Sequence, residues 1–180
     1  GIFTTDCDDV SYAALDEATK KADVQVAYAR SMYAGAANAN TALAGEFIGI
    51  LSAENPAEIR SGLEAALLYI QNDACFYSAN KDDSVVYFAH CISRTGSYLS
   101  KAADVPEGTA MAYLIAPPLE SMYAMDGALK AADVKLCKLY APPSETNFGG
   151  GLLSGTQSAC DAACAAFAEA VAEVAGMPKG

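Results

Sequence analysis

Carboxylates are the side chains of this sequence best suited to chemistry, and a cluster of them lies near its start. Asp6, Asp8 and Asp9 are close neighbours in the chain, and Glu46 opens an apolar stretch. The three aspartates could hold a cation together, or they could form a solvated acidic turn. Glu46 is more informative, because a charge at the mouth of an apolar strand is costly unless it has a partner.

Groups for other kinds of catalysis are sparse. Hydrolases of the Ser-His-Asp or Cys-His type need a base beside the nucleophile, and the one histidine, His90, lies in the middle of a predicted strand. We interpret it as an ordinary strand residue. Cys160 and Cys164 would share a helix face, but tetrahedral zinc needs three or four ligands and no second pair is suitably spaced. We predict that both pack in the core, and that the chain has no catalytic residue, no metal and no cofactor.

Three consecutive glycines, Gly149, Gly150 and Gly151, have only a superficial likeness to a phosphate-binding loop. A dinucleotide-binding fingerprint would require glycine where Ser154 stands, and no Gly-Lys-Ser/Thr follows for a nucleoside triphosphate. Glycines allow unusual backbone angles and mobility, which suits a gate as well as a turn.

Composition excludes several classes of partner. The net charge of -11 argues against nucleic acid, which is bound through clustered Lys and Arg. Hydrophobic residues make up 53% of the chain, yet no apolar run approaches the roughly 20 residues of a membrane span. The six cysteines lack the spacing of a disulfide framework, so we predict free thiols in a reducing cytosol.

The element that positions these residues is a repeat. The segment DEATKKADVQV, residues 16–26, returns 110 positions later as DGALKAADVKL, residues 126–136, with six identical positions. A chain of 180 residues has room for two small domains. We therefore predict a duplicated α/β domain, with residues 1–74 in the first copy and 75–180 in the second.

Periodicity and capping signals predict the elements of the first copy. Asn55 is a good helix N-cap, Pro56 suits the first helical position and Glu58 stands where a capping-box carboxylate belongs. In the helix that follows, Ile59, Leu63, Leu67 and Ile70 recur at helical spacing, which predicts one stripe packed on a sheet. The other predicted elements are a strand at residues 2–5, a helix at 12–21, a strand at 23–29, a loop at 31–43 and a strand at 46–51.

The second copy is predicted to be longer at its start. We expect strands at residues 85–93, 112–116, 133–140 and 152–154, helices at 96–103, 121–131 and after Ser158, and a loop at 141–151. The buried face of the last helix should contain Cys160, Cys164, Phe167, Val171 and Val174. The strand and helix at 85–103 precede the repeat and have no counterpart in the first copy. We therefore expect the first domain to lack an N-terminal strand and helix.

Several long segments carry a family resemblance, among them DCDDVSYAALDEATKKADV, NPAEIRSGLEAAL, MAYLIAPPLESMYAMDGALKAADV and GTQSACDAACAAFAEAV. Through these and further segments, nearly the whole chain resembles the tandem-domain shell proteins of bacterial microcompartments, most closely the ethanolamine-utilisation type. Members begin with a further strand and helix, which agrees with the asymmetry of the repeat.

The resemblance implies a structural protein and not an enzyme. Each half would be a circularly permuted shell domain, a small and mostly antiparallel sheet with helices on one side. Three chains would form a six-domain disc, because a heterologous interface that completes its rotation closes into a ring. Such discs tile with other shell proteins into a cytoplasmic shell around enzymes, and a central opening lets small metabolites pass.

The expected pore and ligand site follow from the same resemblance. We assign the pore axis to the loops at residues 31–43 and 144–155, with Tyr33, Ala34 and Gly35 in the first and Asn147, Phe148, Gly149, Gly150, Gly151 and Leu152 in the second. Ethanolamine is expected to bind near Asp8, Asp9, Glu46 and Phe76 and to favour the closed pore. Glu46 and Phe76 are far in sequence from Asp8 and Asp9 and from each other, so the site is expected to form only in the trimer, from adjacent subunits.

Two alternatives come from other functional classes. One is a metal-dependent enzyme that uses Asp8, Asp9, Glu46 and His90. The other is a soluble ligand-binding module that regulates another protein. Size separates them from a shell tile, because a tile should be a trimer and form larger sheets.

Overall fold

The computed structural model describes residues 1–32, 46–142, 144 and 146–177, which form two antiparallel sheets and five helices. The predicted fold class, two tandem α/β (α+β) shell-type units, is confirmed by this architecture and by the solved structures compared below. Among the described residues, no helix is both long enough and apolar enough to span a membrane.

The first unit has three strands and two helices. In chain order it contains β1 (Ile2–Thr5), α1 (Asp8–Lys21), β2 (Gln25–Met32), β3 (Glu46–Ser52) and α2 (Pro56–Asn72). Strand β3 lies between β1 and β2 and pairs antiparallel with both. It alternates buried Phe47, Gly49 and Leu51 with half-buried residues, which is the period-two pattern of a strand with one face in the core.

The second unit has five strands and three helices. They are β4 (Tyr77–Ser78), β5 (Val86–Ile92), α3 (Ser97–Ala103), β6 (Ala110–Ala116), α4 (Pro118–Ala131), β7 (Val134–Tyr140), β8 (Gly149–Gly155) and α5 (Gln157–Ala175). The strand order is β4-β5-β6-β8-β7. Every residue of β6 is buried, which explains why this strand is a continuous apolar run in the sequence.

The duplication extends through the three-dimensional structure. Strand β3 lies between β1 and β2 as β8 lies between β6 and β7, and α1 and α4 begin 110 positions apart. Even a β-bulge is repeated, between Val26 and Tyr28 in β2 and between Leu136 and Lys138 in β7. Strands β4 and β5 and helix α3 have no counterpart in the described part of the first unit. The predicted boundary at residues 74 and 75 falls between α2 and β4.

Helix α2 begins as predicted but packs differently. The Asn55 side chain accepts hydrogen bonds from the N–H groups of Ala57 and Glu58, each at 3.0 Å. The Glu58 carboxylate accepts from the N–H of Asp23 at 2.8 Å and so ties the helix to the chain before β2. The predicted stripe is wrong at Leu67, which is exposed, because the small residues Gly62 and Ala66 form the buried face instead.

Helix α5 confirms most of its predicted buried face. Cys160, Cys164, Phe167 and Val171 are buried in the core of the second unit, and Val174 is half-buried. The two cysteines are therefore small core residues, as predicted.

Three predicted boundaries were wrong. Strand β2 continues to Met32, although a loop was expected from residue 31. Helix α1 begins at Asp8, a full turn earlier than expected, so Asp8 and Asp9 belong to the helix and only Asp6 lies before it. The predicted loop at residues 141–151 ends earlier, because Gly149, Gly150 and Gly151 are already part of β8.

The second sheet is covered on both faces. Helices α4 and α5 pack on one face. The other face packs against α3 and against Cys7, Val10 and Ala13, at the start of α1 in the first unit. This shared core joins the two units and places the first turn of α1 over β6.

Candidate ligand-binding site

A pocket of about 220 Å³ lies where the first turn of α1 meets the second sheet. Its polar groups are the carboxyls of Asp8 and Asp9, the ammonium of Lys138, and hydroxyls from Ser31, Ser144, Thr146 and four tyrosines. The remaining lining is apolar and comes mainly from α3, the end of β6 and Phe148. Two units of the same chain therefore build one pocket.

Asp8 and Asp9 lie in the first turn of α1. Carboxylates are favoured there by the partial positive charge of a helix N-terminus. Their side chains are nevertheless almost inaccessible, with Asp8 4% and Asp9 6% exposed. The interpretation of this segment as a solvated acidic turn is therefore wrong for these two residues, although Asp6 is exposed.

A small hydrogen-bond network holds the two carboxyl groups. The N–H of Asp9 donates to Oδ1 of Asp8 at 3.0 Å, and the hydroxyl of Tyr113 donates to Oδ1 of Asp9 at 2.6 Å. Ser31, at the end of β2, lines the pocket together with Asp8, and its hydroxyl lies 2.7 Å from the hydroxyl of Tyr12 on α1. The network thus connects α1, β2 and the central strand β6.

The electrostatics of the pair are unfavourable for two negative charges. Burial raises the pKa of Asp8, and burial together with the neighbouring Asp8 charge raises the pKa of Asp9 well above its usual range. The hydrogen bond from Tyr113 opposes this shift without cancelling it. None of the ion pairs among the described residues involves Asp8 or Asp9. A cation entering the pocket would supply the missing positive charge through charge-assisted hydrogen bonds.

The aromatic walls suit an organic cation. The rings of Tyr12 and Tyr98 stack with centroids 6.2 Å apart, and those of Tyr113 and Tyr140 lie 6.4 Å apart. The ammonium of Lys138 already lies over the ring of Tyr140, 5.4 Å from its centroid. Ammonium groups are attracted to such ring faces by about 0.5 to 2 kcal/mol.

The structure brings together two of the four predicted ligand residues. Asp8 and Asp9 line the pocket, whereas Phe76 and Glu46 do not. Phe76 stacks on Phe88 with centroids 5.5 Å apart and meets the lining ring of Phe148 edge-on at 6.1 Å, so it supports the wall from behind. Glu46 begins β3.

Sequence reasoning missed the tyrosines and Ser31. Tyr113 carried a usable signal, because it interrupts the apolar run of β6 with a hydroxyl that needs a partner when buried. Tyr98, Tyr140 and Ser31 carried none, since nothing local indicates that α3, β7 and β2 converge on the start of α1.

The predicted pore residues divide into three groups. Tyr33, Ala34 and Gly35 lie outside the described residues. Asn147 and Phe148 lie in the connection before β8, where Asn147 adopts a left-handed backbone with φ 64° and the Ser144 hydroxyl donates to the Phe148 carbonyl. The third group, Gly149, Gly150, Gly151 and Leu152, lies in β8, so its assignment to a loop is wrong.

These glycines are required by close strand packing and not by mobility. A Cβ on Gly150 would lie 1.9 Å from the Leu114 carbonyl oxygen, and one on Gly151 would lie 2.4 Å from that of Lys138. Gly150 also has a φ of 147°, in the region that favours glycine. The three glycines are buried in β8, which is paired with β6 on one side and with β7 on the other. This segment is therefore part of the sheet and not of a loop that could open and close.

His90 bridges the two units. Its Nε2 atom lies 2.5 Å from the hydroxyl of Tyr69 on α2, and burial lowers the pKa of His90. In the described part of the chain, no group of three or more His, Cys, Asp or Glu side chains is arranged to hold a metal ion.

Comparison with known proteins gives relatives that match the whole chain. The chain is 66% identical over 180 residues to the bacterial microcompartment shell protein EutL of Clostridium perfringens, a match covering 100% of this chain and 83% of the relative. The crystal structure of the ethanolamine utilization protein EutL from Leptotrichia buccalis has a TM-score of 0.94 and 70% identity, over 99% of this chain and 82% of that one. A trimeric microcompartment shell protein, PduB, shares the fold at 18% identity, with a TM-score of 0.79 over 93% of this chain and 73% of that one. No protein-family model matches the chain.

Proposed function

The chain belongs to the EutL family of bacterial microcompartment shell proteins, and on this basis we propose that three copies form one pseudohexameric tile in the shell of an ethanolamine-utilising microcompartment. The relatives are named as shell proteins, which confirms the prediction that the chain is a structural protein and not an enzyme. Other shell proteins are the expected neighbours of the tile.

The observation that carries the tile is the internal repeat of the fold. Two units that share a three-strand order, β1-β3-β2 and β6-β8-β7, and the same bulge would give each chain two nearly equivalent positions around an axis. Three chains then supply six positions, and a heterologous contact that closes makes a ring. The single chain leaves apolar side chains exposed that a neighbouring subunit can cover, among them Leu119, Tyr123 and Leu129 of α4 and Leu136 and Leu139 of β7.

The pore is assigned to two connections in each chain. One joins β2 to β3 and contains Tyr33, Ala34 and Gly35, and the other joins β7 to β8 and contains Asn147 and Phe148. They follow equivalent strands of the two units, so a threefold axis brings six such segments around one opening. Small metabolites, including ethanolamine, would cross the shell there.

The pocket at the start of α1 is proposed to bind ethanolamine. Its ammonium pairs with Asp8 and Asp9 beside tyrosine rings, and its hydroxyl finds partners among the lining hydroxyl groups. Ser31 lies two residues before the first connection, and Phe148 lies in the second. A ligand in this pocket therefore contacts residues beside the first pore segment and within the second. It favours the closed pore to the extent that it binds the closed state more tightly than the open one.

Glu46 and Phe76 remain part of the proposal in supporting positions. Glu46 pairs with Met32 at the end of the first sheet, next to Ser31, so it is near the pocket without lining it. Phe76 holds Phe148 in place. A substitution of Phe76 should therefore weaken binding less than a substitution of Asp8.

Calorimetry and electron microscopy test the two parts of the proposal. Ethanolamine should give saturable heat with the parent protein, and Asp8→Asn should reduce the affinity at least about tenfold, the worth of one charge-assisted hydrogen bond. The control is Asp126→Asn, because Asp126 is an exposed carboxylate on α4, the helix that corresponds to α1 in the second unit. This variant should bind ethanolamine like the parent. Concentrated protein should form ordered sheets. Equal affinity in parent and Asp8→Asn refutes the ligand site, and the absence of any assembly larger than one chain refutes the tile.

A further inference from the structure

Asp8 and Asp9 are two neighbouring and almost fully buried residues whose carboxyl groups lie in the wall of the pocket. Their side chains are 4% and 6% exposed, and no ion pair among the described residues reaches either one. Two neighbouring carboxylates this deeply buried, with no cation of the described residues within ion-pair distance of either, do not both remain ionised.

The hydrogen-bond donors around the pair do not allow both carboxyl groups to stay ionised. They are the N–H of Asp9 to Asp8 at 3.0 Å and the hydroxyl of Tyr113 to Asp9 at 2.6 Å. Both donors are neutral, so they orient the carboxyl groups and stabilise one negative charge without cancelling a second.

We infer that the protein without ligand holds one proton on the Asp8–Asp9 pair, and that an ammonium ligand binds by displacing this proton to solvent. The inference rests on the ethanolamine binding proposed above and adds its coupling to pH. Charge is conserved in the exchange. The pair goes from one negative charge to two as its proton passes to buffer, and the ligand brings one positive charge.

The other titratable and charged groups around the pair are Cys7 just before α1, Tyr12 of α1, Tyr98 of α3, Tyr113 of β6, and Lys138 and Tyr140 of β7. Strand β2 and the connection before β8 line the pocket with Ala29, Ser31, Ser144, Thr146 and Phe148, which are neutral. Burial raises the pKa of the Cys7 thiol and of the Tyr98, Tyr113 and Tyr140 phenols, so these groups keep their protons near neutral pH. The ammonium of Lys138 lies over the ring of Tyr140. The carboxyl pair is therefore the group that exchanges a proton when the ligand arrives.

Calorimetry with ethanolamine measures the exchange directly. Titrations at one pH in buffers of different ionisation enthalpy give the number of protons released per ligand. An aliphatic amine stays protonated up to about pH 10, so any pH dependence between about pH 6 and pH 8 belongs to the protein. We expect release of up to about one proton per ligand, and an apparent Kd that falls with rising pH by at most about tenfold per unit. The slope of log Kd against pH should be negative and equal in magnitude to the number of protons released per ligand.

Two variants separate this coupling from simple structural effects. Tyr113→Phe removes the donor that stabilises ionised Asp9, so the pair should hold its proton more tightly and the fall in Kd should move to higher pH. A purely structural role would instead weaken binding equally at every pH. Asp126→Asn loses the same charge on the exposed face of α4 and should keep the parent's proton number and slope.

The outcomes separate the proton exchange from the proposed ethanolamine site on which it rests. Ethanolamine binding with buffer-independent heat and a flat Kd overturns the proton exchange and leaves the ligand site intact. No binding heat in the parent protein overturns the ligand site, and the proton exchange with it.

Discussion

Asp16 joins the two units, and its removal gives a sharp test of how they are held together. Its side chain is fully buried, and its two oxygens accept from the N–H groups of Gly96 at 2.7 Å and Leu99 at 2.8 Å. These N–H groups belong to the N-cap residue and the first turn of α3. The N-cap residue, Gly96, has no side chain that could accept a hydrogen bond from them. A residue of the first unit therefore caps a helix of the second.

The expected cost of Asp16→Ala follows from these contacts. The substitution leaves two buried N–H groups without acceptors, at about 1 to 3 kcal/mol each, and removes the anion from a helix N-terminus. We expect a loss of about 3 to 5 kcal/mol in the free energy of unfolding. The repeat supplies a matched control, because Asp126 occupies the equivalent position in α4 but is exposed and pairs with Lys130. Asp126→Ala should cost about 0.5 kcal/mol or less.

Urea unfolding followed by far-ultraviolet circular dichroism measures both variants, since the chain has no tryptophan for fluorescence. The titrations need one fixed protomer concentration, because oligomerisation shifts the apparent stability. If Asp16→Ala and Asp126→Ala differ by less than about 1 kcal/mol, which is within the range of ordinary surface effects, the capping argument is wrong.

Three further predictions use the same unfolding assay. Gly150→Ala should destabilise the protein by about 2 to 4 kcal/mol, because alanine disfavours the backbone angle there and its Cβ would clash with a carbonyl oxygen of β6. Gly127→Ala lies in an open helical position and should stabilise the protein by about 0.5 to 1 kcal/mol. If Gly127→Ala were the less stable of the two variants, the strand packing described here would be wrong. Asp9→Asn should raise stability at neutral pH by about 1 kcal/mol, because burial raises the pKa of Asp9 and ionisation is costly there. This gain should disappear below about pH 3, where the carboxyl is protonated in both the folded and the unfolded state, and a pH-independent effect speaks against it. Tyr69→Phe should cost about 1 kcal/mol by leaving the His90 ring without its partner, and no change in the urea midpoint would show that this bridge adds nothing.

Local patterns predicted most of the fold. Asn55 and Pro56 marked the start of α2, and the apolar spacing of α5 identified its buried face, because caps and periodicity act within one element. The strand at Gly149 was missed, because glycine is a loop signal unless the close approach of neighbouring strands is known. The exposure of Leu67 was missed for a related reason, since α2 packs through its small residues Gly62, which lies against Val24 and Leu51, and Ala66, and not through its largest apolar side chains.

The candidate site shows the same limit. Asp8 and Asp9 were identified through their charge and the family resemblance, but their burial depends on β6 and α3, which lie about a hundred residues further along the chain. Tyr113 hydrogen-bonds Asp9 across this distance. Such long-range contacts are set by topology, and a hydroxyl partner of this kind leaves no trace in the local sequence around the carboxylates.

Native mass spectrometry of the intact protein with and without ethanolamine tests the central claim most directly. The account predicts one dominant species of three chains, each of 18.6 kDa, which takes up one ethanolamine per chain at saturation. An Asp8→Asn trimer should keep its mass and lose most of the ligand. A monomer at tens of micromolar would contradict the tile, and a trimer that takes up no ethanolamine would contradict the site.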